Sequence, residues 1–358
     1  MVAYRCVMVD ARVRSAARSS LGRVQPYLGR CSAGDAAANR DRFGGVTLQG
    51  VHGLRVARVL ARAGALGGVD LDPAGYLSRA KRPAPVIEGQ LGFELDLPVF
   101  DWVEAQAELG LPVVRTAGPR LRVGQVDELK AELHRDYPVR VSVTLALDGG
   151  WLGSKHSGVL AEQLRAADRD VSLVLGAPFD PVDSSYKVLG LKRLLRWSAR
   201  TGRKLELLRT GPVGIPAIAA GASLAAIGLS SSTRHLGGPV ARRADGVRPK
   251  RSPQVFVPRL LHWQRGIDLK ADLKDCGCAA CARTGSGLRR FDVAFDSTVP
   301  APVRAGAREH DSYALAEVIQ AVLAAPDPKD ELARRRQDAQ DLAAEIHLTV
   351  PKWLGHWD

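Results

Sequence analysis

The chain has 358 residues, of which 46% are hydrophobic and 25% charged, enough to bury the core of one large domain or two ordinary ones. Lys and Arg number 51 against 38 Asp and Glu, a net charge of +13 that attracts phosphate-rich partners; a GC-rich coding bias, visible in the abundant Ala and Gly, is the competing source of the arginines. No run approaches the roughly 18 apolar residues of a membrane span, and five cysteines, three of them close together, exclude a disulfide framework.

The first segment, MVAYRCVMVDARVRSAARSS, carries arginines and an aspartate where a secretory signal needs an apolar stretch. Residues 1–45 are read as a poorly ordered extension, and the protein is expected in the cytoplasm. VTLQGV (46–51) and LRVARVLARAG (54–64) open an alternation of short apolar runs and helical patterns. PVIEG (85–89) and LPVVRTAG (111–118) read as strands with WVEAQAELG as a helix between them. RVSVTLALD (140–148), DVSLVLGAPFD (170–180), KLELLRTG (204–211) and LAAIGLSSS (224–232) continue the strands. SGVLAEQLRAAD and SSYKVLGLKRLLRWSART supply helices between them. Seven or eight apolar strands alternating with helices predict parallel βαβ units covered on both faces, and that count suits a (β/α)8 TIM barrel over residues 46–236. A doubly wound open sheet is the alternative; no Gly-rich dinucleotide fingerprint or Walker motif supports it.

In a barrel, chemistry collects where strands end. Those ends supply Asp148, Asp180, Asp183, Arg209, Thr233, Arg234 and His235. Asp148, Asp180 and Asp183 are the candidate catalytic carboxylates, although turn and cap roles around Pro181 and Gly149-Gly150 compete for them. The pattern changes near residue 236. GGPVARRADGVRPKRSPQ lacks apolar periodicity and carries Arg242, Arg243, Arg248, Lys250 and Arg251. With Arg234 and His235, the residues Arg242, Arg243, Lys250 and Arg251 are the candidate nucleic-acid contacts; a solvated linker is the competing reading.

Residues 237–358 then hold DCGCAACARTGSG, which places Cys276, Cys278 and Cys281 within six residues. C-x-C-x2-C offers three thiolates from one tight loop, and a tetrahedral Zn²⁺ needs a fourth ligand. His310, at the start of the amphipathic HDSYALAEVIQAVLAA, is the candidate. Such a closed site is structural, with no position left for water.

The cysteine spacing, followed about 30 residues later by His310-Asp311 and then Tyr313, resembles the zinc subdomain of tRNA-guanine transglycosylases. The order also fits: a barrel, a basic segment, VFVPR, the cysteines and a helix. The resemblance implies a (β/α)8 TIM barrel with a C-terminal zinc-binding subdomain. It further implies a transferase that exchanges guanine for a 7-deazaguanine-type base in tRNA, or in DNA for a related branch. The family's GVDMFDCVxPTR segment, whose second aspartate attacks the ribose, is met here by GASLAAIGLSSSTR (221–234). Thr233-Arg234 remains, while Ala225, Ala226 and Ile227 stand near the missing aspartate, and the family's DSGGFQ has no clear counterpart. The alternative is therefore a non-catalytic, zinc-containing paralogue that binds nucleic acid or a catalytic partner subunit, or that forms a homodimer.

Overall fold

A computed structural model describes residues 22–77, 99–177, 180–237 and 250–357. Eight parallel strands form the centre: β1 Arg23–Leu28, β2 Val46–Gln49, β3 Val69–Asp72, β4 Arg120–Leu121, β5 Val143–Asp148, β6 Val171–Ala177, β7 Leu205–Thr210 and β8 Leu224–Gly228. Their order is β3-β2-β1-β8-β7-β6-β5-β4, which is the circular order of an eight-stranded barrel read from one seam. Across that seam, Arg115 Nη1 donates to Asp70 Oδ1 at 3.2 Å and to the Leu71 carbonyl at 3.3 Å. A single parallel bridge, Arg115 to Ser142, ties the same stretch to the β5 side. The fold is a (β/α)8 barrel.

The helices follow the strands in alternation: α1 Ala33–Phe43, α2 Gly50–Arg62, α3 Val99–Glu108, α4 Val126–Leu133, α5 Ser154–Ala167, α6 Ser185–Thr201, α7 Gly214–Ala219 and the short α8 Ser231–Arg234. Their apolar faces cover the outside of the strands; Leu191, Leu194, Leu195 and Trp197 of α6 are all buried, as their spacing requires. Strand pairing continues in β9 Leu236–Gly237, which runs beside β6. Beyond the barrel come the antiparallel hairpin β10 Gln254–Val257 and β11 His262–Arg265. The helices α9 Ala279–Ala282, α10 Ala301–Ala324, α11 Pro328–Glu345 and α12 Trp353–His356 complete the chain. Among the described residues no helix is long and apolar enough to cross a membrane.

The barrel begins before residue 46. β1 sits between β2 and β8, with Val24 to Leu28 all buried, and Ser32 caps α1 through a capping box with Asp35. Gln25 and Pro26 interrupt the apolar pattern that marks a central strand, which is why the expected boundary falls too late. Residues 1–21 and the expected strand PVIEG lie outside the described residues. The strand expected over 111–118 shrinks to the Arg115 bridge, with β4 itself further on.

Inside the barrel the lower layer is polar. Arg115 makes two bonds to Glu206, at 2.9 and 3.0 Å. Gln25 donates to Thr47 and Asp70, and Ser172 donates to Glu206. All these residues are buried, so their charges and most of their dipoles are satisfied by one another out of water; Gln25 Oε1 has no partner among the described residues. Burial opposes the Arg115 cation, yet Glu206 and Asp70 outweigh it and raise its pKa.

Candidate metal centre and barrel-mouth cavity

Cys276, Cys278, Cys281 and His310 come together with their ligand atoms all within 4.8 Å of one another, a Cys3His group that could hold a metal ion. The loop folds back on itself because the Ala282 and Gly285 amides bond the Cys278 and Cys281 carbonyls at 2.9 and 3.0 Å. Gly287 closes the turn at φ +56°, and a Cβ there would lie 2.5 Å from the Lys274 carbonyl. His310 projects from α10 with Nδ1 3.3 Å from the sulfurs of both Cys278 and Cys281. Its Nε2 lies 2.7 Å from the Phe256 carbonyl, which fixes the proton on Nε2 and leaves the Nδ1 lone pair facing the thiols. Asp311, the next residue, accepts from the Phe256 amide at 2.6 Å and from Trp263 Nε1 at 2.9 Å. The hairpin, the cysteine loop and α10 therefore meet around one buried point.

The mouth of the barrel holds a cavity of about 930 Å³ over the ends of β1, β2, β3, β7 and β8. Its far walls are α1 and α10. Four arginines line it, Arg30, Arg42, Arg209 and Arg308, against the acids Asp35 and Glu309. Both acids are engaged: Asp35 accepts from the Ser32 amide and hydroxyl, and Glu309 pairs with Arg283 at 2.7 Å. The cavity is therefore receptive to anions. Cys31 also faces it, but burial, helped by Asp35, pushes its thiol up to about 11 and keeps it protonated and inert.

Behind the cavity wall lies Asp72. Its Oδ2 accepts from Tyr27 at 2.7 Å and from Tyr76, and its Oδ1 accepts from the Ala74 amide at 2.9 Å. Burial first, and then the Asp72 charge, raise both tyrosine pKa values well above the usual range, so both phenols stay protonated. The Arg209 guanidinium lies 5.7 and 6.0 Å from the two ring centroids.

The expected site residues divide. The four metal ligands assemble. Asp148 lies on the inward register of β5 with Ser142, Thr144 and Ala146, but its carboxylate pairs with Arg120 at 2.9 Å, and it does not line the cavity. The same Arg120 reaches the Gly237 carbonyl, so the β9 segment lies over this side of the mouth. Asp180 folds back on the Val182 amide at 2.9 Å, the turn role that competed for it, and burial raises its pKa. Asp183 is exposed and pairs with Lys187 one helical turn on. These three carboxylates do not gather at the cavity, because each is satisfied locally.

Arg234 stacks 3.9 Å over the Trp263 ring and donates to Gln254 at 2.8 Å, so it pins the hairpin to the barrel. The His235 carbonyl accepts from Arg209 at 3.3 Å, and burial, with Arg234 and Arg209 nearby, lowers its ring pKa. Lys250 and Arg251 are exposed beside the hairpin, while Arg242 and Arg243 lie outside the described residues. β8 ends in Gly228, where a Cβ would come within 2.2 Å of the Thr233 backbone, so no carboxylate fits that strand end.

No protein-family model matches the chain, and no curated protein sequence matches it. Among solved structures, the tetrameric deoxyribose phosphate aldolase from Aeropyrum pernix is similar over 59% of this chain and 86% of that one, at 16% identity and a TM-score of 0.38.

Proposed function

We propose that the protein is a zinc-stabilised barrel of the transglycosylase-like kind that binds nucleic acid, tRNA or DNA, across its mouth. The observation that carries this reading is the double use of α10. One residue, His310, completes the Cys3His group, while Arg308, Glu309 and Ser312 on the same helix line the cationic cavity. A metal at the knuckle thus holds one wall of the mouth in place. Zinc suits the ligand set: in a tetrahedron with metal–sulfur and metal–nitrogen bonds of about 2.3 and 2.0 Å, sulfur and nitrogen lie about 3.5 Å apart. Thiolate ligands also favour a reducing compartment, the cytoplasm. Next to Ser312, Arg42 and Arg283 gather on the Tyr313 ring, 3.6 and 4.7 Å from its centroid, and add positive charge near the cavity.

Binding without chemistry, alone, as a homodimer or beside a catalytic partner subunit, is the first reading. Asp148, Asp180 and Asp183 are all occupied, and at the end of β8 a side chain on Gly228 would run into the Thr233 backbone. Exchange of a guanine-type for a 7-deazaguanine-type base is the second, favoured by Asp72 bonded to Tyr27, whose ring faces the cavity. The deciding experiment titrates a fluorescent single-stranded oligonucleotide at several salt concentrations. Arg30→Ala with Arg308→Ala should weaken binding and reduce the salt slope by roughly 0.7 per lost phosphate contact. An unchanged slope would remove the mouth as the binding surface.

A further inference from the structure

We infer that the part of the cavity between β7 and β8 is a binding site for the terminal phosphate of a small ligand, with Arg209 as its cation and Ser232 as its hydroxyl donor. The inference rests on the cavity being the ligand site, not on the ligand being a nucleic acid.

Arg209 is only 5% exposed. Its backbone is left-handed, φ +49°, although it is not glycine, and it sits where the β7–β8 register shifts between Leu207 and Thr210. That conformation aims the side chain into the mouth instead of along the strand. Nη2 holds the carbonyls of Ser232 and His235, and among the described residues Nε has no partner. Among the described residues no carboxylate forms an ion pair with it. Asp72 contributes its charge from behind the tyrosines, but its oxygens are already bonded to Tyr27, Tyr76 and the Ala74 amide. Burial opposes the Arg209 cation, but the tyrosines and Asp72 outweigh it and raise its pKa, so the charge is held in place; the left-handed backbone is strained, and such strain persists where a ligand uses it.

The second observation comes from the loop after β8. Ser230, Ser232 and Thr233 all line the cavity. Thr233 is consumed by the Ser230 amide and carbonyl, whereas the exposed Ser232 hydroxyl meets, among the described residues, only Ser230, at 3.2 Å. Arg209 holds the Ser232 carbonyl, so guanidinium and hydroxyl are fixed relative to each other. In (β/α)8 barrels the loops after the seventh and eighth strands frequently form a phosphate site. Arg30 and Arg308 across the cavity suit a doubly charged group better than a carboxylate. The cavity, about 930 Å³, has the size of sites that enclose a ligand of nucleotide dimensions.

The test uses the full, metal-replete chain and isothermal calorimetry with 5′-GMP and guanosine at constant ionic strength, with inorganic phosphate as competitor. Wild type should bind 5′-GMP at least tenfold more tightly than guanosine, since a charge-assisted contact is worth about one to two decades of affinity. Inorganic phosphate should displace it. Arg209→Gln should bring the ratio to near one, Arg209→Lys should keep part of it, and Ser232→Ala, at the surface, should reduce it several-fold with the melting temperature unchanged. Should Arg209→Gln fail to fold, Ser232→Ala and the phosphate competition decide. Equal binding of 5′-GMP and guanosine, no displacement by phosphate, or a ratio unmoved in both variants overturns the inference. Absent oligonucleotide binding with the 5′-GMP preference intact would sink the nucleic-acid reading and leave this site standing.

Discussion

His310 holds the Phe256 carbonyl through Nε2 at 2.7 Å while its Nδ1 faces two thiol sulfurs at 3.3 Å. One ring thus joins hairpin, helix and cysteine loop. The binding free energy of a structural metal is then folding free energy for this region. Purified protein should carry about one zinc per chain, and Cys278→Ser should lower both metal content and melting temperature. The checks are elemental analysis and calorimetry; metal-free protein with an unshifted melting point would refute the assignment.

Asp311 provides a second handle on the same junction; its Oδ1 lies 4.0 Å from Nε2 of His310, the ring nitrogen that does not face the thiols. Its two oxygens accept from Phe256 and Trp263. Asn offers only one acceptor and turns its NH2 toward a donor. Asp311→Asn should therefore destabilise the protein by about 1–3 kcal/mol, the cost of an unsatisfied buried donor. By loosening the hairpin that orients His310, it should also weaken metal affinity by roughly tenfold or more. Metal competition with a chromophoric chelator reads the second effect; unchanged affinity would mean that the hairpin does not orient the ligand.

The metal centre could be read from sequence because three of its ligands are neighbours in the chain and the fourth lies on a recognisable helix, although that helix begins at Ala301 and not, as expected, at His310. The barrel could be read because β5 to β8 are nearly continuous apolar runs. The cavity could not. Its residues come from β1, β2, β7, α1, α2, α10 and the segments that follow β3 and β8, brought together only by closure of the barrel. Asp70 and Asp72 sit in the short VDLD strand, where their inward register is invisible until Arg115 and Tyr27 are in place. Arg209 was visible at a strand end, but its left-handed backbone was not. Asp148 and Asp180 looked equally eligible because local pairing with Arg120 and Val182 leaves no mark in a strand-end pattern.

His262 predicts a pH dependence. Burial, reinforced by Arg234, lowers its pKa to about 4, and among the described residues its Nδ1 has no partner. In the unfolded chain the ring titrates near 6.5. Between those values the unfolded state binds more protons, so the stability is fully present above pH 6.5 and is lost as pH falls toward 4. Acid also releases metal from thiolates, so the comparison must be made between variants. From pH 7.5 to 5.0, wild type should lose more of its urea midpoint than His262→Gln does. Parallel losses would show that this ring does not carry the effect.

Asp72 separates the two functional readings. Its carboxylate takes three donors, the hydroxyls of Tyr27 and Tyr76 and the Ala74 amide, and it is fully buried. Asp72→Asn removes the charge and one acceptor while keeping the shape, so stability should fall by about 1–3 kcal/mol with the fold retained. If the protein only binds, oligonucleotide affinity and its salt slope should stay within about twofold of wild type, because phosphate contacts dominate nucleic-acid affinity. If it exchanges bases, Asp72 is the acid nearest in the network to the cavity-facing Tyr27, and proton transfer there contributes about 100-fold or more to rate. Incorporation of labelled guanine into tRNA or DNA would then collapse in Asp72→Asn with binding intact, and Tyr27→Phe, which keeps the ring, should follow it. Exchange by wild type that survives in both variants would clear Asp72 of any chemical role. No exchange by wild type, with binding unaltered in Asp72→Asn, would leave the network as the support beneath a binding cavity.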